Sequence, residues 1–244
     1  MVGAACRALP ATGEYMNDES PLSDVGACVF DAYGTLLDVH SAVRRHADRI
    51  GPRHAELSAE WRRRQLEYTW LHSLMREHRD FEQLTKEALA VSLAALNLDQ
   101  SLSTDLMLAY RELDAFPEVG RVLSVLGRAG MQRAILSNGT PSMLEDGVRN
   151  AGISELVDQL LSVETVGIYK PDPQVYQLAV CRLGVPAERI VFMSSNAWDA
   201  AGAAHFGFRV VWVNRYAQVP EALPGKPVRT LSSLDSLPSL LGIC

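Results

Sequence analysis

The sequence predicts an α/β fold: a Rossmann-like, doubly wound parallel sheet that carries an inserted helical domain. Two observations support this prediction. Short apolar runs alternate with amphipathic helices between residues 116 and 213, as in a parallel sheet with helices on both faces. A block of roughly 70 residues of helical character precedes this alternation, and it is too long for a single crossover between two strands.

We expect three parts along the 244 residues. Residues 1–25 show no periodicity, lack the apolar centre of a signal peptide, and are expected to form a disordered leader. Residues 26–39 and 115–244 form the predicted α/β core. Residues 40–114 form the predicted helical cap.

The first strand is expected over residues 27–31, where an apolar run ends on Asp31. Gly34 permits a tight turn there, and helical character follows from about residue 41 to residue 113. Large apolar residues recur at helical spacing in the first part of this block, and further helices are expected over residues 81–96 and 102–113. The recurring residues are Trp61, Tyr68, Leu71 and Met75.

Four further strands are expected in the core, over residues 133–137, 160–162, 190–193 and 210–213. Helices are expected over residues 119–129 and 175–183, because a glycine closes each amphipathic run. The tail from Gln218 is rich in Pro and Ser, and no element is predicted there.

Composition and charge argue against several classes of protein. The net charge of −6 disfavours non-specific binding to nucleic acid. No apolar run approaches the roughly 20 residues that span a bilayer, so no membrane partner is expected. The cysteines fit neither a zinc spacing nor a disulfide framework, and reduced thiols in a cytoplasm are the simplest interpretation. They are Cys6, Cys28, Cys181 and Cys244.

Four loops that follow strands or strand-like runs carry polar groups that a core would not select. They contain Asp31, then Ser137 and Asn138, then Lys170, then Ser194, Asn196 and Asp199. Because such loops meet at one edge of a parallel sheet, they predict a pocket with a carboxylate, an ammonium, amides and hydroxyls. Each group also has an ordinary interpretation. The aspartates and Asn196 could cap helices, residues 137–139 could be a simple turn, and the lysine could be solvated.

Four segments carry a resemblance to a known family. They are Phe30-Asp31-Ala32-Tyr33-Gly34-Thr35-Leu36, Ser137-Asn138-Gly139, Tyr169-Lys170-Pro171 and Ser194-Ser195-Asn196-Ala197-Trp198-Asp199. They resemble the motifs of the haloacid dehalogenase superfamily and, more closely, those of its (S)-2-haloacid dehalogenases. The resemblance covers about residues 27–214, including residues 61–70 of the predicted cap.

Two positions depart from the pattern of the phosphatases in this superfamily. Tyr33 stands where those enzymes carry a second aspartate, and Ser194 stands where they place an acid that holds Mg²⁺. Magnesium prefers hard anionic oxygens, and Lys170 adds a positive charge. We therefore expect a site that uses no metal and no other cofactor.

The resemblance implies a covalent route. Asp31 displaces halide from the carbon that bears it and forms an aspartyl ester, which water hydrolyses to a hydroxy acid of inverted configuration. The ammonium of Lys170 stabilises the ionised nucleophile. An arginine suits the leaving halide because guanidinium is weakly hydrated. Periodicity does not choose among the three consecutive arginines after Trp61, whereas the resemblance selects Arg62.

The resemblance also implies three sets of supporting residues. The substrate carboxylate is bound by Ser137, Asn138 and backbone N–H groups from Ala32 onward. Asp31, Lys170 and the hydrolytic water are oriented by Thr35, Tyr176, Ser194, Asn196 and Asp199. An apolar wall around the alkyl group is formed by Tyr33, Leu66, Phe81 and Trp198, for which ordinary core packing is the alternative. The six histidines receive no role.

The predicted function is hydrolysis of short (S)-2-haloalkanoic acids to (R)-2-hydroxy acids and halide. The enzyme is expected to be a cytoplasmic homodimer that binds neither nucleic acid nor membrane. Three alternatives stay open at this point. They are a metal-dependent phosphohydrolase, a hydrolase of small strained-ring carboxylates on the same scaffold, and a binding protein with a vestigial site.

Overall fold

The computed structural model describes residues 20–243. The leader predicted over residues 1–19, like Cys6 and Cys244, lies outside the described residues. The prediction also assigns residues 20–25 to that leader. There the Leu22 N–H donates to the Leu240 carbonyl (2.7 Å) and Arg209 donates to the Ser23 carbonyl (2.6 Å). Residues 22 and 23 are therefore hydrogen-bonded to later parts of the chain, and the boundary at residue 25 stays a prediction.

The core is one sheet of six parallel strands in the order β3-β2-β1-β4-β5-β6. The strands are β1 (Ala27–Phe30), β2 (Gln132–Ser137), β3 (Gln159–Ser162), β4 (Ile190–Ser194), β5 (Arg209–Val213) and β6 (Arg229–Leu231). Every residue of β1 is buried, as expected for a central strand that is covered on both faces.

Five helices follow β1 and form the helical segment, residues 41–111. They are α1 (Ser41–Arg45), α2 (Ala47–Ile50), α3 (His54–Met75), α4 (Phe81–Ala95) and α5 (Leu102–Arg111). Asp80 caps α4 by accepting the N–H of Gln83. The two ends of the segment meet, because the Asp38 N–H donates to the Asp114 carbonyl (2.8 Å). The cap boundaries at residues 40 and 114 stay a prediction.

Five further helices lie among and after the core strands. They are α6 (Val119–Arg128), α7 (Pro141–Asn150), α8 (Pro173–Leu183), α9 (Ala197–Phe206) and α10 (Leu237–Leu240). Both α7 and α8 begin with a proline, and the side chains of Thr140 and Asp172 accept a backbone N–H from the first turn. These caps fix the start of each helix immediately after a loop of the sheet edge.

The predicted parallel sheet is confirmed, and each of the five expected strands lies within one residue of its predicted bounds. The sixth strand, β6, was not predicted. It is only three residues long and pairs with β5. Its residues, Arg, Thr and Leu, form no apolar run and lie in a Pro-rich tail. Pairing with β5, rather than a local sequence pattern, therefore creates this strand.

The apolar series that predicted α3 does not mark a buried face. Trp61 is buried, but Leu71 and Met75 are 44% and 59% exposed. Gln65 is buried instead, and its amide donates to Thr85 Oγ1 (2.6 Å). Spacing predicted the helix but not its buried face, which includes a polar residue held by buried hydrogen bonds.

Within residues 20–243, no helix combines the length and apolar character needed to cross a membrane. The described cysteines, Cys28 and Cys181, are free thiols. Burial in β1 raises the pKa of Cys28 to about 12, so this thiol stays protonated and unreactive at neutral pH.

Candidate active site

The site lies where the strand order reverses. From β1 the chain proceeds to β2 and β3 on one side, while β4 and β5 lie on the other. The Asp31 N–H extends the β1–β4 ladder by donating to the Met193 carbonyl (2.9 Å). The loops that follow β1 and β4 therefore leave the same edge side by side, which is where open α/β sheets form a crevice.

Three side-chain donors hold the Asp31 carboxylate. Its Oδ1 accepts from Lys170 Nζ (3.1 Å), and its Oδ2 accepts from Thr35 Oγ1 (2.8 Å) and Asn196 Nδ2 (2.9 Å). The residue is 5% exposed, and the next helix begins only at Ser41, so Asp31 does not cap a helix. Donors on both oxygens fix the direction in which the carboxylate faces.

Lys170 lies between two carboxylates and is 1% exposed. Its Nζ donates to Asp199 Oδ2 (2.9 Å) as well as to Asp31. Burial acts to lower the pKa of Lys170, but the Asp199 and Asp31 carboxylates outweigh it and raise that pKa. The side chain is therefore an ammonium at neutral pH, and it is not the solvated lysine of the ordinary interpretation.

Asp199 and Tyr176 complete the buried network behind Lys170. The Tyr176 hydroxyl donates to Asp199 Oδ1 (2.8 Å), so both oxygens of that carboxylate have a donor. Burial, followed by the Asp199 charge, raises the pKa of Tyr176 well above its ordinary value. The phenol thus stays a donor. Burial also acts to raise the pKa of Asp199, which the Lys170 ammonium opposes.

The turn after β1 presents Thr35 to two loops at once. Gly34 has φ of 92°, a conformation that residues with a Cβ adopt only with strain. Beyond it, Thr35 Oγ1 donates to Asp31 and accepts the Ser195 N–H (2.8 Å). The carbonyl of Ala32 closes the turn by accepting three of its backbone N–H groups. One hydroxyl therefore links the nucleophile loop to the loop after β4.

The loop after β4 supplies Asn196. Its Nδ2 donates to Asp31 Oδ2 and to the Tyr33 carbonyl (3.1 Å), while its N–H donates to Ser194 Oγ (3.2 Å). Asn196 occupies the N-cap position of α9, but its side chain makes no capping hydrogen bond. Helix capping therefore does not account for this amide.

The loop after β2 supports Lys170 from the other side. Ser137 Oγ accepts the Gly139 N–H (3.1 Å), and Asn138 Oδ1 accepts the Lys170 N–H (3.1 Å). Gly139 allows the Tyr33 ring to approach closely, because a Cβ on residue 139 would lie 2.7 Å from that ring. The segment is a turn, as the ordinary interpretation expects, and it also fixes the backbone of the lysine.

Helix α3 directs Arg62 toward this edge. Its Nη2 donates to the Tyr33 carbonyl (3.1 Å) and to Asn196 Oδ1 (3.2 Å), and its Nη1 donates to Gln65 Oε1 (2.7 Å). All three acceptors are neutral oxygens. The guanidinium thus reaches the nucleophile loop without meeting a carboxylate in these contacts.

The two neighbouring arginines lie elsewhere on α3. Arg63 pairs with Glu60 (2.9 Å) and Glu67 (2.8 Å), and Arg64 pairs with Glu60 (2.6 Å). Successive residues point about 100° apart on a helix, so only one of the three can face the crevice. The structure brings Arg62 to the predicted position and gives the other two intrahelical partners.

A cleft of about 380 Å³ opens beside Arg62 and Asn196. Leu66 and Trp198, two residues of the predicted apolar wall, line it. His40, to which the sequence gave no role, lines it too, and its Nδ1 lies 2.7 Å from Ser58 Oγ.

The other two residues of the predicted wall are in the core. Tyr33 and Phe81 are 3% and 1% exposed, and their ring centroids are 5.5 Å apart. Core packing, the alternative considered for Phe81, describes its position. Burial raises the pKa of Tyr33 well above its ordinary value, so its phenol stays protonated at neutral pH.

Asp31 and Asp199 bring two carboxyl groups to the site, and Lys170 donates to both of them. Across residues 20–243, no group of three or more His, Cys, Asp or Glu side chains is arranged to hold a metal ion. The two carboxylates instead share one ammonium, and this donor set fits a bound lysine better than a divalent cation.

Sequence reasoning missed three residues that contact the site or its support. Arg215 donates to the Thr35 carbonyl (2.8 Å) and lies 2.7 Å from Glu118, and Gln65 orients Arg62. Arg215 follows β5 by two residues, the same strand-end signal that identified the other loops. Glu118 and Gln65 carry no such signal, because polar residues at helices usually face solvent.

Known proteins resemble this chain over most of its length. The haloacid dehalogenase-like hydrolase family matches residues 25–207. (S)-2-haloacid dehalogenase 4A of Burkholderia cepacia is 47% identical over 217 residues, 88% of this chain and 94% of that protein. (S)-2-haloacid dehalogenase 1 of Pseudomonas sp. strain CBS-3 is 47% identical over 90% of this chain and 98% of that protein. The solved structure of L-2-haloacid dehalogenase from Xanthobacter autotrophicus with chloropropionic acid covalently bound is 36% identical, with a TM-score of 0.84 over 89% of this chain and 98% of that one.

Proposed function

This chain belongs to the haloacid dehalogenase-like hydrolases and, within them, to the (S)-2-haloacid dehalogenases, and on that premise we propose that it hydrolyses short (S)-2-haloalkanoic acids to (R)-2-hydroxy acids and halide. The observation that carries the proposal is the contact between Asp31 and Lys170. A buried carboxylate faces an ammonium, at an edge where the superfamily's phosphatases hold Mg²⁺.

The first step forms an ester. An oxygen of Asp31 attacks the substrate carbon opposite the halogen, the carbon–halogen bond breaks, and the halide departs with the electron pair. In-line attack inverts that carbon. Thr35 and Asn196 hold Oδ2 and Lys170 holds Oδ1, which supports a carboxylate oriented before substrate arrives. The Xanthobacter autotrophicus structure with chloropropionic acid covalently bound supports the same type of intermediate.

The second step regenerates Asp31. Water adds to the carboxyl carbon of the ester, and the bond between that carbon and the ester oxygen breaks. The hydroxy acid leaves with an oxygen that began on Asp31 and takes one proton of the water. The other proton is released to solvent, and the carboxylate keeps the oxygen from water. We assign the placement of this water to Ser194 at the end of β4, Asn196 in the loop that follows and Asp199 on α9, of which Asn196 contacts Asp31 directly.

Substrate binding has to overcome repulsion between two carboxylates. Two like unit charges 4 Å apart repel by about 4 kcal/mol at an effective dielectric constant near 20. We assign the compensating donors to Ser137, Asn138 and the backbone N–H groups of Ala32 and Tyr33, because the N–H groups of residues 34–37 donate within the turn. Leu66 and Trp198 then form the wall beside the alkyl group.

Arg62 is assigned to the departing halide. It lines the cleft, and its hydrogen-bond acceptors are neutral oxygens, so its positive charge is available to an anion. A guanidinium is weakly hydrated, so it gives up less hydration free energy than an ammonium when it binds a soft halide.

A metal-dependent phosphohydrolase fits the site less well. Its general acid would stand at position 33, where burial keeps the Tyr33 phenol protonated at neutral pH. Lys170 Nζ stands between the two carboxylates that a Mg²⁺ ion would need. A strained-ring carboxylate would need the same nucleophile and anion donors, and no contact within residues 20–243 favours it over a haloacid.

The test is halide release from the separate enantiomers of 2-chloropropionate in the presence of EDTA. We expect chloride from the S enantiomer only, with (R)-lactate as the product. Mg²⁺-dependent hydrolysis of a phosphate ester, with no chloride from either enantiomer, would overturn the proposed function and leave the fold unaffected.

We further propose that residues 40–114 act as a cap over a core of residues 26–39 and 115–244, and that the enzyme is a cytoplasmic homodimer. The hydrogen bond from Arg62 on α3 to the Tyr33 carbonyl supports a cap that completes the site.

Sedimentation equilibrium of the full chain tests the proposed homodimer. Twice the chain mass is expected, and a monomer at all concentrations would contradict it.

A further inference from the structure

A buried ion pair contacts the turn that presents Thr35. The side chains of Arg215 and Glu118 are 7% and 8% exposed, and Arg215 Nη2 lies 2.7 Å from Glu118 Oε1. The same nitrogen donates to the Thr35 carbonyl at 2.8 Å. The guanidinium also lies over the Phe116 ring, 3.7 Å from its centroid. Arg215 therefore joins the loop after β5 to the turn after β1.

The partners of Arg215 are themselves fixed by the backbone. Glu118 Oε1 accepts the Leu234 N–H (3.2 Å). The Phe116 N–H donates to the Leu36 carbonyl (3.0 Å), one residue beyond the carbonyl that Arg215 holds. The ion pair and its aromatic neighbour thus form a support with a defined position relative to the turn.

A stabilising role alone does not explain this arrangement. A buried ion pair can often be replaced by apolar residues of similar volume without loss of stability, because desolvating two charges costs about as much as their attraction returns. What an apolar pair could not supply is a donor to the Thr35 carbonyl. Thr35 also carries the hydroxyl that donates to Asp31 Oδ2 and accepts the Ser195 N–H. Rotation of the Thr35 peptide would carry the Thr35 hydroxyl away from Asp31.

We propose that Arg215, held by Glu118, is a positioning residue that orients Asp31 through Thr35. The inference deepens the proposed function, on which it rests, by assigning a residue that touches neither substrate nor nucleophile. Its effect falls on the attack by Asp31 rather than on substrate binding. A displacement of about 1 Å at a reacting group costs on the order of 10²-fold in rate.

The test compares Arg215→Met and Arg215→Lys with the control Arg133→Met. Arg133 also forms an ion pair, with the partly exposed Asp158 (2.7 Å), but on β2 at the opposite end of the strand from the site. We expect Arg215→Met to lower kcat for (S)-2-chloropropionate by about 10²-fold with KM nearly unchanged. Arg215→Lys should recover part of the loss, because an ammonium still offers a donor. Arg133→Met should lower Tm and leave kcat nearly unchanged.

A crystal structure of each variant gives a readout that needs no dehalogenation. Thr35 Oγ1 should move beyond hydrogen-bond distance of Asp31 Oδ2 in Arg215→Met and stay in place in Arg133→Met. Arg215→Lys should lengthen the distance between Thr35 Oγ1 and Asp31 Oδ2 less than Arg215→Met does, in line with its partial recovery of kcat. If Arg215→Met does not fold, a longer Thr35–Asp31 distance and a lower kcat in Arg215→Lys than in the wild type carry the test. A Thr35–Asp31 distance equal to that of the wild type in every Arg215 variant that folds, or a loss of kcat equal to that of the control, would overturn the proposal. Absence of halide release by the wild type would overturn the proposed function instead, and the structures would still decide the role of Arg215.

Discussion

The two sides of the site are built differently. On the core side, Asp31, Lys170 and Asp199 are almost wholly buried, and each carboxylate oxygen has a donor. On the side of the helical segment, Arg62 and Leu66 stand in the wall of an open cleft. Lys170 contacts two carboxylates, whereas the acceptors around Arg62 are neutral.

This difference separates two tasks that both require a cation. The charge of Lys170 is used within the protein, where it allows two carboxylates to share a buried site. The charge of Arg62 is not compensated by its hydrogen-bond partners, so it can attract an anion from solvent. We therefore assign the bond-making step to the core side, and the approach of substrate and the departure of halide to the helical side.

The largest effect is expected from removing the nucleophile. Asp31→Asn keeps the shape of the side chain but removes the attacking oxygen anion and replaces one of its two acceptor oxygens by an NH2 donor. Halide release should fall by about 10⁴-fold or more, and no ester should appear in the mass of the Asp31 peptide. Asp38→Asn, in the same loop but paired with Arg44 (2.9 Å), is the control and should retain activity. Substantial turnover by Asp31→Asn would remove Asp31 as the nucleophile.

A smaller effect is expected on the helical side. Arg62→Ala should lower kcat/KM for (S)-2-chloropropionate by about 10²-fold, because the developing halide loses its cation. The ester should still form, only more slowly, which rapid-quench mass spectrometry can follow. Arg64→Ala removes a neighbouring arginine that pairs with Glu60, and it should change the rate little. The reverse ranking of the two variants would show that the contacts of α3 are assigned to the wrong arginine.

The third effect falls on stability rather than on rate, as a dependence of the free energy of unfolding on alkaline pH. The carboxylates of Asp199 and Asp31 raise the pKa of Lys170 in the folded chain. The contribution of Lys170 to the free energy of unfolding is therefore complete below the ordinary lysine pKa of about 10.4, and it is lost as pH rises through the raised value. Urea unfolding of the wild type should show this loss.

Lys170→Met should show a smaller alkaline loss than the wild type, because buried groups with a raised pKa such as Tyr33 and Tyr176 still contribute to it. It should also be less stable at neutral pH by about 3–5 kcal/mol, because a buried pair is broken. Lys86→Met removes an exposed lysine from α4 and serves as the control, with the pH profile of the wild type. Parallel profiles for the wild type and Lys170→Met would contradict the assignment of an ammonium held by two carboxylates.

The sequence predicted the core side of the site better than the helical side. Asp31, Lys170 and Asn196 follow strand-type runs, and the topology of a parallel sheet brings such loops to one edge. On α3, spacing alone could not choose among Arg62, Arg63 and Arg64, because the choice depends on which face of the helix meets the core. A family resemblance supplied what periodicity lacked.

Residues that act by tertiary contact left no local signal. The burial of Gln65 depends on Thr85 and Tyr110, which are distant in sequence. Glu118 is buried only because Arg215 reaches it from the loop after β5. Pairings of this kind are set by the assembled fold, so a pattern read along one segment cannot predict them.

The central claim is that water attacks the carboxyl carbon of an Asp31 ester and not the substrate carbon. A single turnover in ¹⁸O-labelled water, with enzyme in excess over (S)-2-chloropropionate, tests this claim most directly. The account predicts that ¹⁸O appears in the carboxylate of the Asp31 peptide and that the lactate remains unlabelled. Labelled lactate with an unlabelled Asp31 would mean that water displaces the halide itself, and it would contradict the covalent route.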